Sequence, residues 1–382
     1  MTLQTSIDLS QADIVCLNIL IDEGVFLQRI IQHHYQFPNY SFALSLIALP
    51  YISLIEHDSI PYVNKKYNCN FAKEDCTITD IRHKTKSLDS RYLDYEKYSK
   101  RATAMLTESN NYFRSKGVAR FLPSSLVKDI GITYFEELPI YSTYLISNML
   151  GNENGFLNND IKELCFSIGY NAGSAGRFLY DLAQYAVNDE RFFESSEFLV
   201  TANDYSYSSL LDSRIRNHTD DDVAFFFLSE QLMRLASIEA LRRNQFLEQF
   251  IWIKLATIYI YHVHKSLENF KAHIFNSHFK QYYSSDFRNS CSTIFERSHA
   301  KLIKKMKPLR NAFVHYDFEK LVRDISIDSQ NHNVLLANVI QHVMDIDFAE
   351  YKTFLITTTY ETIEKLQSII GFPAYNPVRN KF

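Results

Sequence analysis

Hydrophobic positions recur at helical spacing in the second half of the chain. After the three aspartates at 220–222, Leu228, Leu232 and Leu235 occupy positions i, i+4 and i+7, which fall on one face of an α-helix. The aspartates suit the start of that helix, where acidic side chains cap backbone amides and favour the helix dipole. The following segment, 246–263, is apolar on nearly all sides, which is typical of a helix in the middle of a bundle.

Two more helices are predicted from the same pattern. One covers roughly residues 286–305, and the last runs from about 344 to 370. In the last helix the apolar residues fall on one stripe, and Gly371 followed by Pro373 gives a stop signal; the stripe consists of Met344, Phe348, Tyr351, Leu355, Ile363, Leu366 and Ile370. Residues 220–370 are therefore predicted to form a four-helix-type bundle.

The shortage of glycine and proline favours helices throughout the chain. Only 9 of the 382 residues are Gly and 8 are Pro, and residues 177–370 contain no Gly and a single Pro, Pro308. Hairpins, sandwiches and phosphate-binding loops depend on these two residues for their turns. Because 46% of the residues are hydrophobic, the chain is also able to bury a sizeable core. We therefore predict an all-α fold.

Turn signals divide the chain into three predicted parts. Gly151 and Gly155 give the clearest signal, and the polar stretch 217–222 gives a second. We predict a mainly helical N-terminal region of unknown role at 1–155 and a helical connector at 156–219. The C-terminal helical bundle then occupies 220–382.

Charge and cysteine content exclude several classes of protein. The net charge of −4 gives no global attraction for nucleic acid or membranes, so any nucleic-acid contact must come from a local patch. The 5 cysteines are odd in number and scattered, which indicates reduced thiols and not a disulfide framework. No signal peptide is visible, and neither 42–55 nor 246–263 makes a clean membrane span. We expect a soluble cytoplasmic protein with no membrane contact.

The sequence shows no motif for a metal or a cofactor. Cys69, Cys76 and His83 lack the tight pairing of a zinc site. The glycines at 169, 173 and 176 are followed by Arg177, where a phosphate-binding loop has Lys and then Ser or Thr. We therefore expect neither a metal nor a cofactor.

One basic stretch contains the residue types that could carry chemistry. Four lysines and Arg310 lie within ten residues; the lysines are Lys301, Lys304, Lys305 and Lys307. Lysines at this density can hold a polyanion backbone, and the Arg310 guanidinium can bind phosphate oxygens as a bidentate fork. On a helix, Asn311 and His315 are at i and i+4 and share a face, which Arg310 can also reach. We predict the lysines as RNA-binding residues.

An Arg, an Asn and a His that converge on a phosphate can cleave RNA without a metal. His315 would act as general base or acid on the 2′-hydroxyl or the leaving oxygen. Arg310 would stabilise charge developing on the phosphoryl oxygens, and Asn311 would orient His315 or the substrate. Because the 2′-hydroxyl would be the internal nucleophile, this chemistry is restricted to RNA.

The Arg-Asn-x3-His pattern, with lysines just upstream in a helical bundle, resembles the HEPN superfamily. Its ribonuclease members carry Arg-x4–6-His with a polar residue after the Arg. The resemblance covers the C-terminal region alone and places Arg310, Asn311 and His315 at the motif positions. It implies a metal-independent endoribonuclease, and a homodimer in which two copies of the motif form one cleft.

The same resemblance implies a role as a bacterial toxin or in abortive infection and other phage defence. RNA would be the substrate, and an antitoxin or sensor protein would be a further partner. Toxins paired with a nucleotidyltransferase often have Tyr two residues after the His. Asp317 stands there in this chain, which argues against that particular toxin–antitoxin arrangement.

Two other interpretations of these residues stay open. The bundle could be a non-catalytic helical module that binds RNA, a nucleotide or a protein. It could also be a scaffold in which Arg310 pairs with an acid and His315 fills a half-buried slot.

Other histidines have simpler interpretations. The Arg-x4-His spacing occurs again at Arg29 and His34, which we interpret as chance. His262 and His264 point apart on a helix, and we predict them as core or interface residues and not as metal ligands.

Overall fold

A computed structural model of the chain describes residues 10–38, 41–68, 79, 81–82, 95–96, 98–100, 102–104, 106–107, 130–150, 197–206, 222–323, 325 and 332–371. Helices account for 78% of these residues, so the predominantly helical character is confirmed. Within the same ranges, no helix is long and apolar enough to cross a membrane.

Two long helices form the first part of the described structure: α1 (Gln11–Gln36) and α2 (Ser41–Tyr67). A capping box starts α1, since the Ser10 hydroxyl accepts from the Asp13 amide at 3.2 Å and the Asp13 carboxylate accepts from the Ser10 amide at 3.0 Å. The Lys66 ammonium lies 2.6 Å from the same carboxylate. The end of α2 is thereby joined to the start of α1.

Three short strands, which lie between α2 and the C-terminal helices in the sequence, form a small antiparallel sheet. The all-α prediction missed this sheet. Its strands are β1 (Ile130–Phe135), β2 (Leu138–Ser142) and β3 (Thr201–Tyr205), in the order β2-β1-β3. The hairpin between β1 and β2 turns through Glu136 with a φ of 53°, so it needs no glycine. A short helix, α3 (Thr143–Leu150), follows β2. The shortage of glycine therefore does not exclude a small sheet of this kind.

The helix predicted after the aspartates is α4 (Asp222–Arg243). Leu228, Leu232 and Leu235 are all buried, as their spacing predicts. Every residue from Val223 to Leu241 is buried as well, so α4 is enclosed on all sides and is not amphipathic. Charged side chains tolerate this burial because they are paired; Arg234, for example, lies 2.6 Å from the Glu230 carboxylate.

The next helix, α5 (Gln249–Ile274), is the central element of the C-terminal part. Almost its whole circumference is buried, which confirms the prediction from its all-round apolar pattern. It packs against α1 and α4 and against most of the helices that follow it. Polar residues in its buried stretch, such as Lys254, Thr257 and His262, therefore contact other elements.

The remaining described helices are short except for the last two. They are α6 (Ser285–Ser292), α7 (Arg297–Lys305), α8 (Lys307–His315), α9 (Glu319–Val322), α10 (His332–Met344) and α11 (Phe348–Ile370), with a 3-10 turn at Lys280–Tyr282 before α6. The single helix predicted over 286–305 is two helices, because the chain turns between them. The last helix starts at an Asp347 capping box and stops at Gly371, whose φ is 64°.

One hydrophobic core includes residues of α1 and α2, of the sheet and of α4 to α11. The predicted boundaries at 155/156 and 219/220 lie outside the described residues, so the three-part division stays a prediction. The first two helices nevertheless share their core with the C-terminal helices. The two described cysteines, Cys16 and Cys291, are buried free thiols.

Burial of His264 on α5 makes stability depend on pH. Burial lowers the pKa of His264 to about 4; Glu268 opposes this shift, and Lys304 and Lys265 add to it. The unfolded chain therefore binds a proton near pH 6.5 that the folded chain does not bind, and the folded state loses stability as the pH falls from 6.5 to 4.

We expect His264→Phe to remove this part of the acid sensitivity. The wild type should lose about 3 kcal/mol more unfolding free energy than the variant between pH 7 and pH 4. Urea unfolding of both proteins at several pH values measures the difference. Because burial also lowers the pKa of His33, both proteins should keep some acid sensitivity. Parallel curves for the two proteins would contradict the assignment to His264.

Candidate functional site

The predicted catalytic residues lie on α8, directly after a break in the helical path. Met306 ends α7 and begins α8, and its side chain is fully buried. Pro308 stands in the first turn of α8, where its missing amide proton costs no helical hydrogen bond. The single proline of residues 177–370 thus separates two short helices and starts the one that carries the motif.

One side of α8 faces solvent and the other faces the core. Lys307, Asn311 and His315 are spaced four residues apart and all three are exposed. The buried side of the helix carries Leu309, Ala312, Phe313 and Val314. His315 therefore does not fill a buried slot, and it shares an exposed face with Asn311, as the sequence predicts.

Arg310 is half-buried and connects this exposed face to α5. Its Nε donates to Nε2 of His262 at 3.0 Å, and its Nη2 contacts the same nitrogen. Its Nη1 donates to Oδ1 of Asn311 at 3.1 Å. The guanidinium carbon also lies 5.7 Å from the centre of the Tyr261 ring. Arg310 and Asn311 are thus directly hydrogen-bonded, and the orientation of Arg310 is set by a buried histidine.

The contact with Arg310 fixes the state of His262. An arginine only donates, so Nε2 of His262 must accept, which requires a neutral ring protonated on Nδ1. His262 is buried, in agreement with its predicted core role. Sequence reasoning did not include it in the site, because the 48 residues between it and Arg310 hide the contact.

The four predicted RNA-binding lysines are all exposed. Lys301, Lys304 and Lys305 lie on α7, and Lys307 is the first residue of α8. Lys305 lies 3.9 Å from the exposed carboxylate of Asp345, a weak surface pair. The lysines and the motif thus occupy two consecutive helices, and the lysine side chains are in solvent.

The residue after His315 anchors the other end of the motif helix in the core. Tyr316 has a left-handed backbone, with a φ of 50°, and its side chain is buried. Its hydroxyl donates to Glu23 on α1 at 2.6 Å and accepts from Lys254 on α5 at 3.0 Å. Lys254 and Glu23 also form an ion pair in which both side chains are almost fully buried. We call these three residues the buried triad.

Neighbouring groups hold the triad tyrosine further. Its ring stacks on Tyr62 of α2 with a centroid distance of 5.3 Å, and the Cys16 thiol donates to its carbonyl oxygen at 3.1 Å. Burial raises the pKa of Tyr316 well above its ordinary value, and the negative charge of Glu23 raises it further. Burial likewise raises the pKa of the Cys16 thiol to about 12. Both groups therefore stay protonated and act as donors at neutral pH.

The contacts of α8 show that it runs antiparallel to α5. Arg310, early in α8, contacts His262, whereas Tyr316, just after α8, contacts Lys254, which lies about two turns earlier in α5. His262 and Lys254, both on α5, thus hold the two ends of the helix that carries the motif. Lys254 and Glu23 were not predicted as site residues. The sequence feature that could have identified such a residue is a charged side chain inside an otherwise apolar segment.

The second Arg-x4-His pair has structural contacts. Arg29 pairs with Glu248 and donates to the carbonyl oxygen of Gln245 at 2.9 Å. His34 contacts the carbonyl of Ile30 at 2.8 Å and the hydroxyl of Ser45 at 2.7 Å. These contacts agree with its interpretation as chance.

Several predicted features lie outside the described residues. They are Cys69, Cys76 and His83, which were considered as zinc ligands, and the glycines at 169, 173 and 176. In the part of the chain that the structure does describe, no three His, Cys, Asp or Glu side chains are grouped so as to hold a metal ion.

Comparison with models of protein families, with curated proteins and with solved structures gave no match.

The buried triad predicts a strong coupling between Glu23 and Lys254. Replacing one partner, by Glu23→Gln or Lys254→Met, leaves a buried charge unpaired and should cost about 3–5 kcal/mol of unfolding free energy. The double variant should cost clearly less than the sum of the two. Urea unfolding of the four proteins measures this coupling.

An exposed ion pair on the same helix is the matched control. Lys271 and Glu268 of α5 are 4.0 Å apart and 40% and 47% exposed. Lys271→Met should cost less than about 1 kcal/mol, since solvent screens the pair. If the losses of unfolding free energy from the Glu23 and Lys254 substitutions are strictly additive, the coupling within the buried triad is contradicted.

The His262–Arg310 contact predicts a difference between two substitutions of His262. His262→Phe keeps a ring but removes the acceptor, and should cost about 1–3 kcal/mol because half-buried donors of Arg310 lose their partner. His262→Gln offers an amide oxygen to the same donors and should cost less. Chemical denaturation measures both, and an equal loss in the two variants would contradict a role for the acceptor.

Proposed function

We propose that this protein is a metal-independent endoribonuclease of the HEPN type, with an HEPN-like helical bundle at 220–382. The observation that supports the proposal best is the arrangement on α8. Arg310 is hydrogen-bonded to Asn311, and His315 stands one turn further along the same exposed face. Four exposed lysines precede these residues on the adjoining helices. A phosphate bound at this face would meet a base, a guanidinium and an amide together.

The proposed reaction is transfer of the phosphoryl group within the RNA strand. His315 removes the proton of a 2′-hydroxyl, and the resulting oxygen attacks the adjacent phosphorus. The bond from phosphorus to the 5′-oxygen breaks, which leaves a 2′,3′-cyclic phosphate and a 5′-hydroxyl. Arg310 stabilises the charge on the phosphoryl oxygens, and Asn311 orients the substrate or the base.

A proton must also reach the departing 5′-oxygen. In the proposed homodimer two motifs face one cleft, so a second histidine is available as the acid while His315 acts as the base.

The protein would act in the cytoplasm as a bacterial toxin or phage-defence factor, restrained or triggered by an antitoxin or sensor protein.

A second candidate function is a helical module that binds RNA, a nucleotide or a protein without cleaving it. The observation in its favour is that Arg310 donates to His262 and Asn311 within the protein. A guanidinium held in this way can position a ligand phosphate without taking part in a reaction.

Substitution of the motif distinguishes the two functions. We expect His315→Ala and Arg310→Ala each to lower cleavage of a labelled single-stranded RNA at least a hundredfold, because removal of a general base or of a charge-stabilising donor typically costs that much. Cleavage by the wild type should continue in EDTA. It should stop when the RNA carries 2′-deoxy nucleotides, and gel analysis should detect cyclic phosphate ends.

His342→Ala is the matched control, because His342 is also exposed but lies on α10. It should cleave RNA like the wild type. If both motif variants cleave at the wild-type rate, the nuclease proposal is wrong. RNA binding that weakens with salt but gives no product would support the binding module.

A further inference from the structure

An open groove lined by aromatic rings lies at the carboxyl end of α5. It encloses about 520 Å³, within the usual range for small-molecule sites. His273 of α5 forms its floor together with Tyr95 and Tyr283, and Phe279 and Tyr282 form one wall. The exposed side chains of Glu96 and Lys100 stand at the rim. We call it the aromatic groove.

The wall of the aromatic groove is held in place by specific contacts. The ring of His273 stacks on Phe279 with a centroid distance of 4.2 Å and lies 4.6 Å from the ring of Tyr95. Arg288 of α6 donates to the carbonyl oxygen of Lys280 at 2.8 Å and to that of Tyr283. These hydrogen bonds fix the 3-10 turn that carries Tyr282.

Tyr282 is the most accessible ring of the aromatic groove. It is 48% exposed, which is high for a tyrosine whose neighbours Tyr283 and Tyr95 are buried. An exposed ring on a fixed turn, beside other rings, can stack on a flat ligand at low entropic cost. Bases of single-stranded nucleic acids bind to proteins in this way.

The polar groups at the rim match a nucleotide. The Lys100 ammonium is suited to a phosphate, and exposed Lys280 adds a second positive charge next to Phe279. The Glu96 carboxylate accepts hydrogen bonds, and the amino groups of adenine, cytosine and guanine donate them. Uracil has no amino group, and its ring N3–H is the only donor that its base can offer.

The aromatic groove lies on the same side of α5 as the motif. His273 follows His262 by 11 residues, which is about three turns and about 16 Å along the helix. Because α8 runs antiparallel to α5, this direction leads from Arg310 towards Lys307. A strand that passes His315, Asn311 and Lys307 in turn is therefore directed towards the aromatic groove.

We propose that the aromatic groove binds one nucleotide of a single-stranded RNA, with the base stacked on Tyr282, the phosphate at Lys100 and a base amino group at Glu96. This inference rests on the proposed function, since it assigns the groove to the same RNA substrate. It adds a binding subsite about 16 Å along α5 from His262, the histidine that contacts Arg310, and a preference against uracil.

Binding is measured on the His315→Ala protein, so that the RNA is not cut. The probe is a fluorescein-labelled octamer of adenylate, titrated by fluorescence anisotropy. We expect Tyr282→Ala to weaken binding about tenfold, as for one lost base stack, and Tyr282→Phe to bind like the parent. Lys100→Ala should weaken binding and reduce its salt dependence. An octamer of uridylate should bind more weakly than adenylate, and Glu96→Ala should reduce this difference.

Tyr360→Ala is the matched control, because Tyr360 of α11 is 45% exposed and lies outside the aromatic groove. It should not change affinity. Equal affinity of the parent and Tyr282→Ala overturns the groove proposal, even if the motif variants abolish cleavage. If Tyr282→Ala weakens binding but the wild type gives no cleavage product, the groove proposal stands and the nuclease proposal falls.

Discussion

The buried ion pair between Glu23 and Lys254 is the interaction on which the placement of the motif helix depends. Neither charge can be hydrated, so each needs the other and the Tyr316 hydroxyl. The three residues come from α1, from α5 and from the end of α8. A shift of any one of these elements would leave a charge unpaired in the core. The position of His315, one residue before Tyr316, is therefore tied to a helix almost three hundred residues earlier in the sequence.

The same constraint explains how a mainly apolar helix organises a polar site. α5 is buried over most of its circumference, so Lys254 and His262 meet other elements and not water, whereas the side chains of Glu268 and Lys271 near its end are partly exposed. Lys254 fixes the end of α8, His262 fixes Arg310 near its start, and His273 lies in the floor of the aromatic groove. A surface site gains precision when its side chains are supported by such buried partners.

Periodicity and stop signals in the sequence predicted α4, α5 and the end of α11, because local spacing determines which residues face the core. Leu228, Leu232 and Leu235 are buried, and Gly371 ends α11. The exposed face shared by Asn311 and His315 follows from the same local rule. The sheet was missed because its hairpin turns at Glu136 and its third strand comes from residues 201–205, a pairing that local spacing does not encode.

Contacts between distant residues account for the other differences. Glu23 and Lys254 are separated by 231 residues, and His262 and Arg310 by 48, so no spacing rule links them. The left-handed backbone of Tyr316 has the same origin. A non-glycine residue in this conformation costs about 1 kcal/mol or more, and the cost is accepted where the surroundings determine the conformation. Here the buried triad, the Tyr62 ring and the Cys16 thiol determine the backbone conformation of Tyr316. The backbone turn directly after His315 is thus set by tertiary contacts, and the direction in which α8 presents His315 to solvent depends on them.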